Sequence, residues 1–224
     1  MIGIDGVNPT LITENEVNLK WLIENGASTM KARSTIEAWS APGWTQILCS
    51  MSDILTGVIN NYWLPPWAGF GAQNITPITG QDAAPFPCVF QVIKQQNPNI
   101  STLYYYDWIW LQILGNQGMG PWIDFEYYPG NNFKDDLIAE NFTNVIENCS
   151  LPNFSVVYFG EVDSYGHLYG WGSAEYQQKL TQTDQRVGQI LDALRNHQIL
   201  EDVYIGVVSD HGAVPGAFKN KLLN

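Results

Sequence analysis

The chain has 224 residues, which is long enough to bury one sizeable hydrophobic core. Its formal net charge of -12 excludes a nucleic-acid duplex as an expected partner, because binding a phosphate backbone needs a basic surface. Charged residues make up only 14% of the chain and aromatic residues 13%, which favours a well-packed fold over a disordered chain. The sequence contains no run of about 20 apolar residues, so we predict no transmembrane segment in it.

Strand-like and helix-like segments alternate from the N-terminus onward. Short apolar runs predict strands at residues 1–4, 102–106, 122–125, 155–159 and 203–209. Helical patterns predict helices at residues 14–25, 86–96, 134–148 and 173–197. This alternation predicts an α/β fold, a three-layer α/β/α sandwich on a largely parallel central sheet. We expect residues 1–224 to form a single domain.

Residues 60–79 lack clear periodicity and are rich in Trp, Pro and Gly, which predicts a long loop of the kind that often covers a site. This loop contains the aromatic residues Trp63, Trp67 and Phe70. They would either contact a substrate or cover one edge of the sheet, and the sequence favours neither interpretation.

Cysteines and sequons bear on the compartment of the protein. Cys49, Cys88 and Cys149 are too few for a disulfide framework, and we expect them to be small buried side chains. We expect no signal peptide, because the first strand begins at Met1. Asn-x-Ser/Thr sequons are consistent with a secretory or extracellular context, although a chain so rich in Asn contains some by chance: Asn74, Asn99, Asn141, Asn148 and Asn153. The compartment and the oligomeric state stay open.

Acidic residues and histidines follow three of the predicted strands. Asp5 follows the first strand, Asp163 precedes His167 by four residues, and Asp210 directly precedes His211. The carboxyl ends of parallel strands meet at one edge of a sheet, so we expect these side chains to converge. Carboxylate and imidazole ligands suit zinc and similar divalent ions. The sequence therefore predicts a metal site.

A serine nucleophile is predicted between the first and second of these segments. In Ala38-Trp-Ser-Ala-Pro-Gly-Trp44, Pro42 suits the first turn of a helix and Ser40 the position just before it. Backbone N–H groups at a helix N-terminus can hold a phosphoryl oxygen, and a nearby metal lowers the pKa of a serine hydroxyl. Ser40 is otherwise a simple helix N-cap, and the residues alone leave both interpretations open.

Taken in order, these motifs resemble the type I phosphodiesterase/nucleotide pyrophosphatase family of the alkaline phosphatase superfamily. The resemblance spans nearly the whole chain. It consists of a strand ending in Asp5, a Ser-x-Pro segment at Ser40, an Asn after a Gly turn at Asn61, and the two acid–histidine pairs. It implies an alkaline phosphatase-like fold and hydrolysis of a phosphate mono- or diester, with a small substrate such as a nucleotide or a lipid head group.

The resemblance also implies two divalent metal ions, with zinc as the expected metal. One ion would have four ligands: Asp5, Ser40, Asp210 and His211. The other would be held by Asp163 and His167. In the family this second ion usually takes a further His from a His-Gly segment beyond the Asp-His pair, and no histidine follows His211 in this sequence. We therefore expect a domain shortened at its C-terminal end, with one metal ligand missing and its activity in question.

Catalytic roles are implied by the same resemblance. Ser40 would attack phosphorus in line and form a phospho-enzyme, which water then hydrolyses. Asn61, with the backbone N–H of Ala41, would donate to a non-bridging phosphoryl oxygen. Asn60 is the alternative if the register is shifted by one residue.

Three other functions stay open at this point. A sulfatase would need Arg where Trp44 stands, and transfer of phosphate to another acceptor would use the same Ser40 and metals. The missing ligand supports a third possibility, a domain without activity that keeps the fold in order to bind metal or a protein partner.

Overall fold

A computed structural model of the chain describes residues 1–35, 38–62, 87–130 and 133–216. Five strands form within these residues: β1 (Ile2–Ile4), β2 (Thr102–Tyr105), β3 (Phe125–Tyr127), β4 (Phe154–Phe159) and β5 (Val207–Val208). They form one sheet in the order β3-β2-β4-β1-β5, and each neighbouring pair is parallel. The predicted parallel sheet is therefore confirmed.

The α-helices of the described residues are α1 (Val17–Asn25), α2 (Ser40–Cys49), α3 (Asp53–Thr56), α4 (Val89–Gln96), α5 (Asn116–Met119), α6 (Asp135–Glu147), α7 (Glu161–Tyr169) and α8 (Ala174–Asn196). Short 3-10 helices form at Pro9–Leu11, Ile109–Leu114 and Leu200–Asp202. The predicted helices at residues 14–25, 134–148 and 173–197 are confirmed as α1, α6 and α8. The sequence did not predict α7 as a helix, although it carries the Asp163–His167 pair.

Successive side chains of the strands point to opposite faces of the sheet, and each face has its own core. Ile2, Ile4 and Phe159 pack with residues of α1, α6, α7 and α8 in one core. Tyr104 and Tyr158 pack on the other face with residues of α2, α4 and the 3-10 helix Ile109–Leu114. Helices therefore cover both faces, which confirms the three-layer sandwich.

Strand β3 begins three residues later in the chain than predicted, because polar side chains hold the preceding segment in another conformation. The backbone N–H of Ile123 donates to Asn116 Oδ1 over 2.9 Å, and Asp124 Oδ2 accepts from the N–H of Thr102 over 2.8 Å. Backbone groups that are paired in this way do not join the ladder between β2 and β3. Residues 122–124 therefore form a turn-like approach to the strand.

The expectation of three small buried cysteines is wrong for Cys149, and it missed the disulfide that the two buried cysteines form. Cys49, the last residue of α2, forms a disulfide with Cys88, which directly precedes α4. Cys149 is free and exposed. The pairing depends on the packing of α2 and α4 on the same face of the sheet, and a sequence separation of 39 between the cysteines gives no sign of it. Disulfides are typical of oxidising compartments. The compartment itself stays a prediction.

Two further predictions concern segments outside the described residues. Most of the loop predicted at residues 60–79 lies there, including Trp63, Trp67 and Phe70, as does the sequon at Asn74. Among the helices that are described, none is both long and apolar enough to cross a membrane.

Candidate active site

The residues that the sequence assigned to the site lie together at the carboxyl edge of the sheet. Asp5 directly follows β1, and Asp210 and His211 come two and three residues after β5. Ser40 is the first residue of α2, and Asp163 is the third residue of α7. The parallel sheet produces this convergence, because β1 pairs with both β4 and β5.

Three of these side chains form a compact cluster of possible metal ligands. One ligand atom from each of Asp5, Asp210 and His211 lies within 4.8 Å of the others. His211 Nε2 is 3.6 Å from Asp5 Oδ1 and 3.4 Å from Asp210 Oδ2. All three residues are buried, so a cation bound here would be largely shielded from solvent.

Ser40 adjoins this cluster. Its Oγ is 3.1 Å from His211 Nε2 and 3.5 Å from Asp5 Oδ1. The structure does not support the interpretation of Ser40 as a helix N-cap, because Trp39 occupies the N-cap position and no side-chain cap bond forms. The hydroxyl of Ser40 is thus directed at the acidic cluster and not at the amides of its own helix.

The second pair, Asp163 and His167, lies on the same side of α7 and next to the first cluster. His167 Nε2 is 3.2 Å from Asp163 Oδ2, across one turn of the helix. Asp163 Oδ1 is 3.8 Å from His211 Nε2, which connects the pair to the first cluster.

Two carboxylates of the first cluster each have one oxygen fixed by the fold. Asp5 Oδ2 accepts hydrogen bonds from Trp44 Nε1 over 2.9 Å and from the Tyr158 hydroxyl over 2.6 Å. Asp210 Oδ1 accepts from the backbone N–H of Gly6 over 3.2 Å. Asp5 Oδ1 and Asp210 Oδ2 are left facing His211. The sequence did not identify Tyr158 or the role of Trp44, since neither belongs to a recognisable motif.

Electrostatics of the cluster favour a bound cation. Burial raises the pKa of Asp5, and the nearby Asp163 carboxylate raises it further. Burial also raises the pKa of Asp210 well above its usual range, with additional contributions from Asp5 and Asp163. Three buried polar atoms of the candidate ligand residues have no hydrogen-bond partner: Asp163 Oδ1, His167 Nδ1 and Asp210 Oδ2. A divalent cation would offset the repulsion among these carboxylates, so the donor set fits a metal.

Asn61 is hydrogen-bonded to the start of α2. Its Oδ1 accepts the backbone N–H of Ala41 over 2.8 Å, whereas Asn60 Oδ1 accepts the N–H of Tyr62 over 2.9 Å. Asn61, and not Asn60, therefore lies beside Ser40. The Ala41 N–H that was expected to meet a phosphoryl oxygen donates to Asn61 in this structure.

A cavity of about 200 Å³ opens at this point. Ser40, Asn61, His167 and His211 contribute to its lining, together with aromatic residues that the sequence did not single out: Trp39 and Trp171. The Trp171 and His167 rings pack edge to face with their centroids 4.6 Å apart, and Trp171 Nε1 donates to the carbonyl oxygen of Gly6 over 3.2 Å. Trp171 thereby supports His167 beside the cavity.

A family model described as type I phosphodiesterase / nucleotide pyrophosphatase matches residues 1–224. The chain belongs to this family. Its members are metal-dependent hydrolases that act on ester bonds of phosphate, which agrees with the fold and with the donor set at the carboxyl edge.

Curated relatives match parts of the chain. Ectonucleotide pyrophosphatase/phosphodiesterase family member 7 of Rattus norvegicus is 39% identical over 77 residues, which cover 34% of this chain and 16% of that protein. The Homo sapiens family member 7 is 36% identical over 108 residues, 38% of this chain and 24% of the relative. The matched stretches are thus a quarter or less of the length of these relatives.

Solved structures show the same fold. Murine ectonucleotide pyrophosphatase/phosphodiesterase 5 superposes with a TM-score of 0.72 at 15% identity, covering 94% of this chain and 56% of that one. An inactive variant of the murine protein in complex with AMP gives the same TM-score and covers 95% of this chain. The chain therefore spans little more than half of a solved relative, and at this identity the likeness shows the fold alone.

Proposed function

We propose that this protein hydrolyses a small phosphate ester, such as a nucleotide diester or pyrophosphate, with Ser40 as the nucleophile and two divalent cations as cofactors. The observation that carries the proposal is the position of the Ser40 hydroxyl. It lies at the start of α2, 3.1 Å from His211 and 3.5 Å from Asp5 in the buried acidic cluster. A serine that served only to cap the helix would have no reason to face these side chains.

The geometry of the site supports two groups of ligands. Asp5, Asp210 and His211, with Ser40 beside them, would hold one cation, and Asp163 with His167 would hold the other. Zinc suits this mixture of carboxylate and imidazole ligands. When bound, the two ions would supply positive charge to the attacking and leaving oxygens of an in-line displacement.

Ser40 and its neighbours would carry the remaining chemistry. The Oγ of Ser40 loses its proton and attacks phosphorus, and the bond from phosphorus to the leaving oxygen breaks as its electron pair departs with that oxygen, which takes up the proton. Water then attacks the phosphorus of the phosphoserine and restores the Ser40 hydroxyl. Asn61 accepts from Ala41 through its oxygen, so its side-chain amide is free to donate to a non-bridging phosphoryl oxygen.

The size and lining of the cavity agree with a small substrate. A volume of about 200 Å³ next to Ser40 suits a phosphoryl group, with the rest of the substrate lying outside. The murine relative whose structure holds AMP supports a nucleotide as the first compound to test. The leaving group itself would be chosen by the loops around the site.

Replacement of Ser40 tests the proposal. We expect Ser40→Ala to lower the hydrolysis of a nucleotide diester by at least about 1,000-fold without change in the fold, because the attacking oxygen is lost. Ser52→Ala, beyond the other end of α2, is the matched control and should retain wild-type activity. Equal hydrolysis by the wild type and Ser40→Ala would refute the assignment of the nucleophile.

A further inference from the structure

Helix α7, which carries Asp163 and His167, is capped by a side chain from another helix. Its N-cap residue is Gly160, which has no side chain to serve as a cap. Asp135, the first residue of α6, takes that place: its Oδ1 accepts the Gly160 N–H over 2.9 Å and its Oδ2 accepts the Glu161 N–H over 3.3 Å. Asp135 is fully buried. Its carboxyl group therefore pairs two backbone N–H groups that the start of α7 leaves without a partner in the helix.

The start of α6 is also capped by an aspartate from another part of the chain. Helix α6 begins after Lys134, whose side chain makes no cap bond. Asp107, which follows β2, accepts the Lys134 N–H through Oδ2 over 3.0 Å. The carboxyl end of β2 therefore fixes the start of α6, and the start of α6 fixes the start of α7.

Basic residues of α8 balance the buried carboxylates at this junction. Arg186 lies 3.6 Å from Asp135 and 3.2 Å from Glu161, and Lys179 lies 2.7 Å from Glu161. Arg186 and Glu161 are themselves buried, so this network is shielded from solvent. Breaking one partner of such a network leaves another buried charge unpaired, which makes the first turn of α7 sensitive to Asp135.

Asp163 is confined from the opposite side by the backbone that follows β1. Gly6, one residue beyond Asp5, has a φ of +68°, and a Cβ built there would lie 2.7 Å from Asp163 Oδ1. The Asp163 carboxylate thus fits between the backbone of Gly6 and a helix turn held by Asp135. A small movement of this turn would change the separation between Asp163 and His211, which is 3.8 Å.

We propose that Asp135 is a positioning residue for the metal ligands Asp163 and His167, acting by capping α7 from α6. The inference rests on the proposed function, because only a second bound cation makes the placement of these two ligands matter. Side chains that orient metal ligands without touching the metal are commonly worth about 10- to 100-fold in metal affinity.

Zinc titration of Asp135→Ala and of Asp136→Ala tests this inference. Asp136 is the matched control, because it also pairs with Arg186 but is largely exposed. We expect Asp135→Ala to weaken binding of the second zinc by about 10- to 100-fold with the first zinc unaffected, and Asp136→Ala to bind both ions like the wild type. The isosteric Asp135→Asn keeps one acceptor oxygen and should recover part of the affinity, which also covers the case in which Asp135→Ala fails to fold.

Amide hydrogen exchange on metal-free protein separates the inference from the proposed function. We expect faster exchange at residues 161–164 in the Asp135 variants than in Asp136→Ala or the wild type, because the cap holds this turn. Wild-type affinity for the second zinc in the Asp135 variants, or an equal loss in Asp136→Ala, would overturn the inference. If the wild type itself binds one zinc, the two-ion part of the proposed function fails, and the exchange comparison alone decides whether Asp135 holds α7.

Discussion

Asp5 has one oxygen that serves the fold and one that faces the site. Trp44 and Tyr158 hold Oδ2, while Oδ1 faces Ser40 and His211. Its place after the first strand made the position of Asp5 at this edge of the sheet predictable. Its two hydrogen-bond donors were not predictable, because they lie 39 and 153 residues away in the chain and meet Asp5 only through packing.

Asn61 gives a prediction at the scale of one atom. Asn61→Asp keeps an oxygen for the Ala41 N–H and replaces the amide donor by an acceptor. We expect kcat/KM for a nucleotide diester to fall by about 100- to 1,000-fold, the usual loss for one donor to a transition-state oxygen. Steady-state kinetics of Asn61→Asp and the wild type at matched metal content provide the measurement.

Asn60→Asp is the matched control for this change, since Asn60 accepts the N–H of Tyr62 and not that of Ala41. It should retain near wild-type kinetics. A larger loss in Asn60→Asp than in Asn61→Asp would move the phosphoryl contact to the other asparagine.

At the scale of elements, β1 and α2 meet where a glycine leaves room for an aromatic ring. A Cβ at Gly3 would overlap the Trp44 ring, and Trp44 also donates to Asp5. We expect Gly3→Ala to lower the free energy of unfolding by about 1–3 kcal/mol, because the ring must move in a packed core. Urea denaturation of the metal-free protein measures this loss.

Gly206→Ala serves as the comparison, because a Cβ at Gly206 meets nothing within 4 Å. We expect its unfolding midpoint to match that of the wild type. If both variants unfold at the wild-type midpoint, the contact between Gly3 and Trp44 does not limit the packing of β1 against α2.

Elements with a strong periodic pattern were predictable from sequence, and elements fixed by side-chain contacts were not. The aliphatic stripe of α8 placed that helix to within one residue at each end. Strand β3 was shifted because Asn116 and Asp124 pair with the backbone before it. The spacing of Asp163 and His167 is that of one helical turn. The sequence of α7 nevertheless did not predict a helix, because it is polar and contains a Gly.

For the molecule as a whole, the sequence was enough to predict that the candidate site residues lie at one edge of the sheet. Acidic residues after parallel strands must lie at one edge, so Asp5 and Asp210 could be brought together without a structure. The Cys49–Cys88 disulfide and the network of Asp135 with Arg186 could not, because they depend on how separate helices pack. The chain is a member of the type I phosphodiesterase/nucleotide pyrophosphatase family that spans 56% of a solved relative.

Zinc content per chain tests the central claim of this account most directly. Protein saturated with zinc and freed of excess metal should contain two ions per chain by elemental analysis, because two adjoining groups of carboxylate and imidazole ligands lie at the carboxyl edge. Asp210→Asn should lose the ion held by Asp5, Asp210 and His211. A folded wild-type protein that binds one zinc or none would contradict the account.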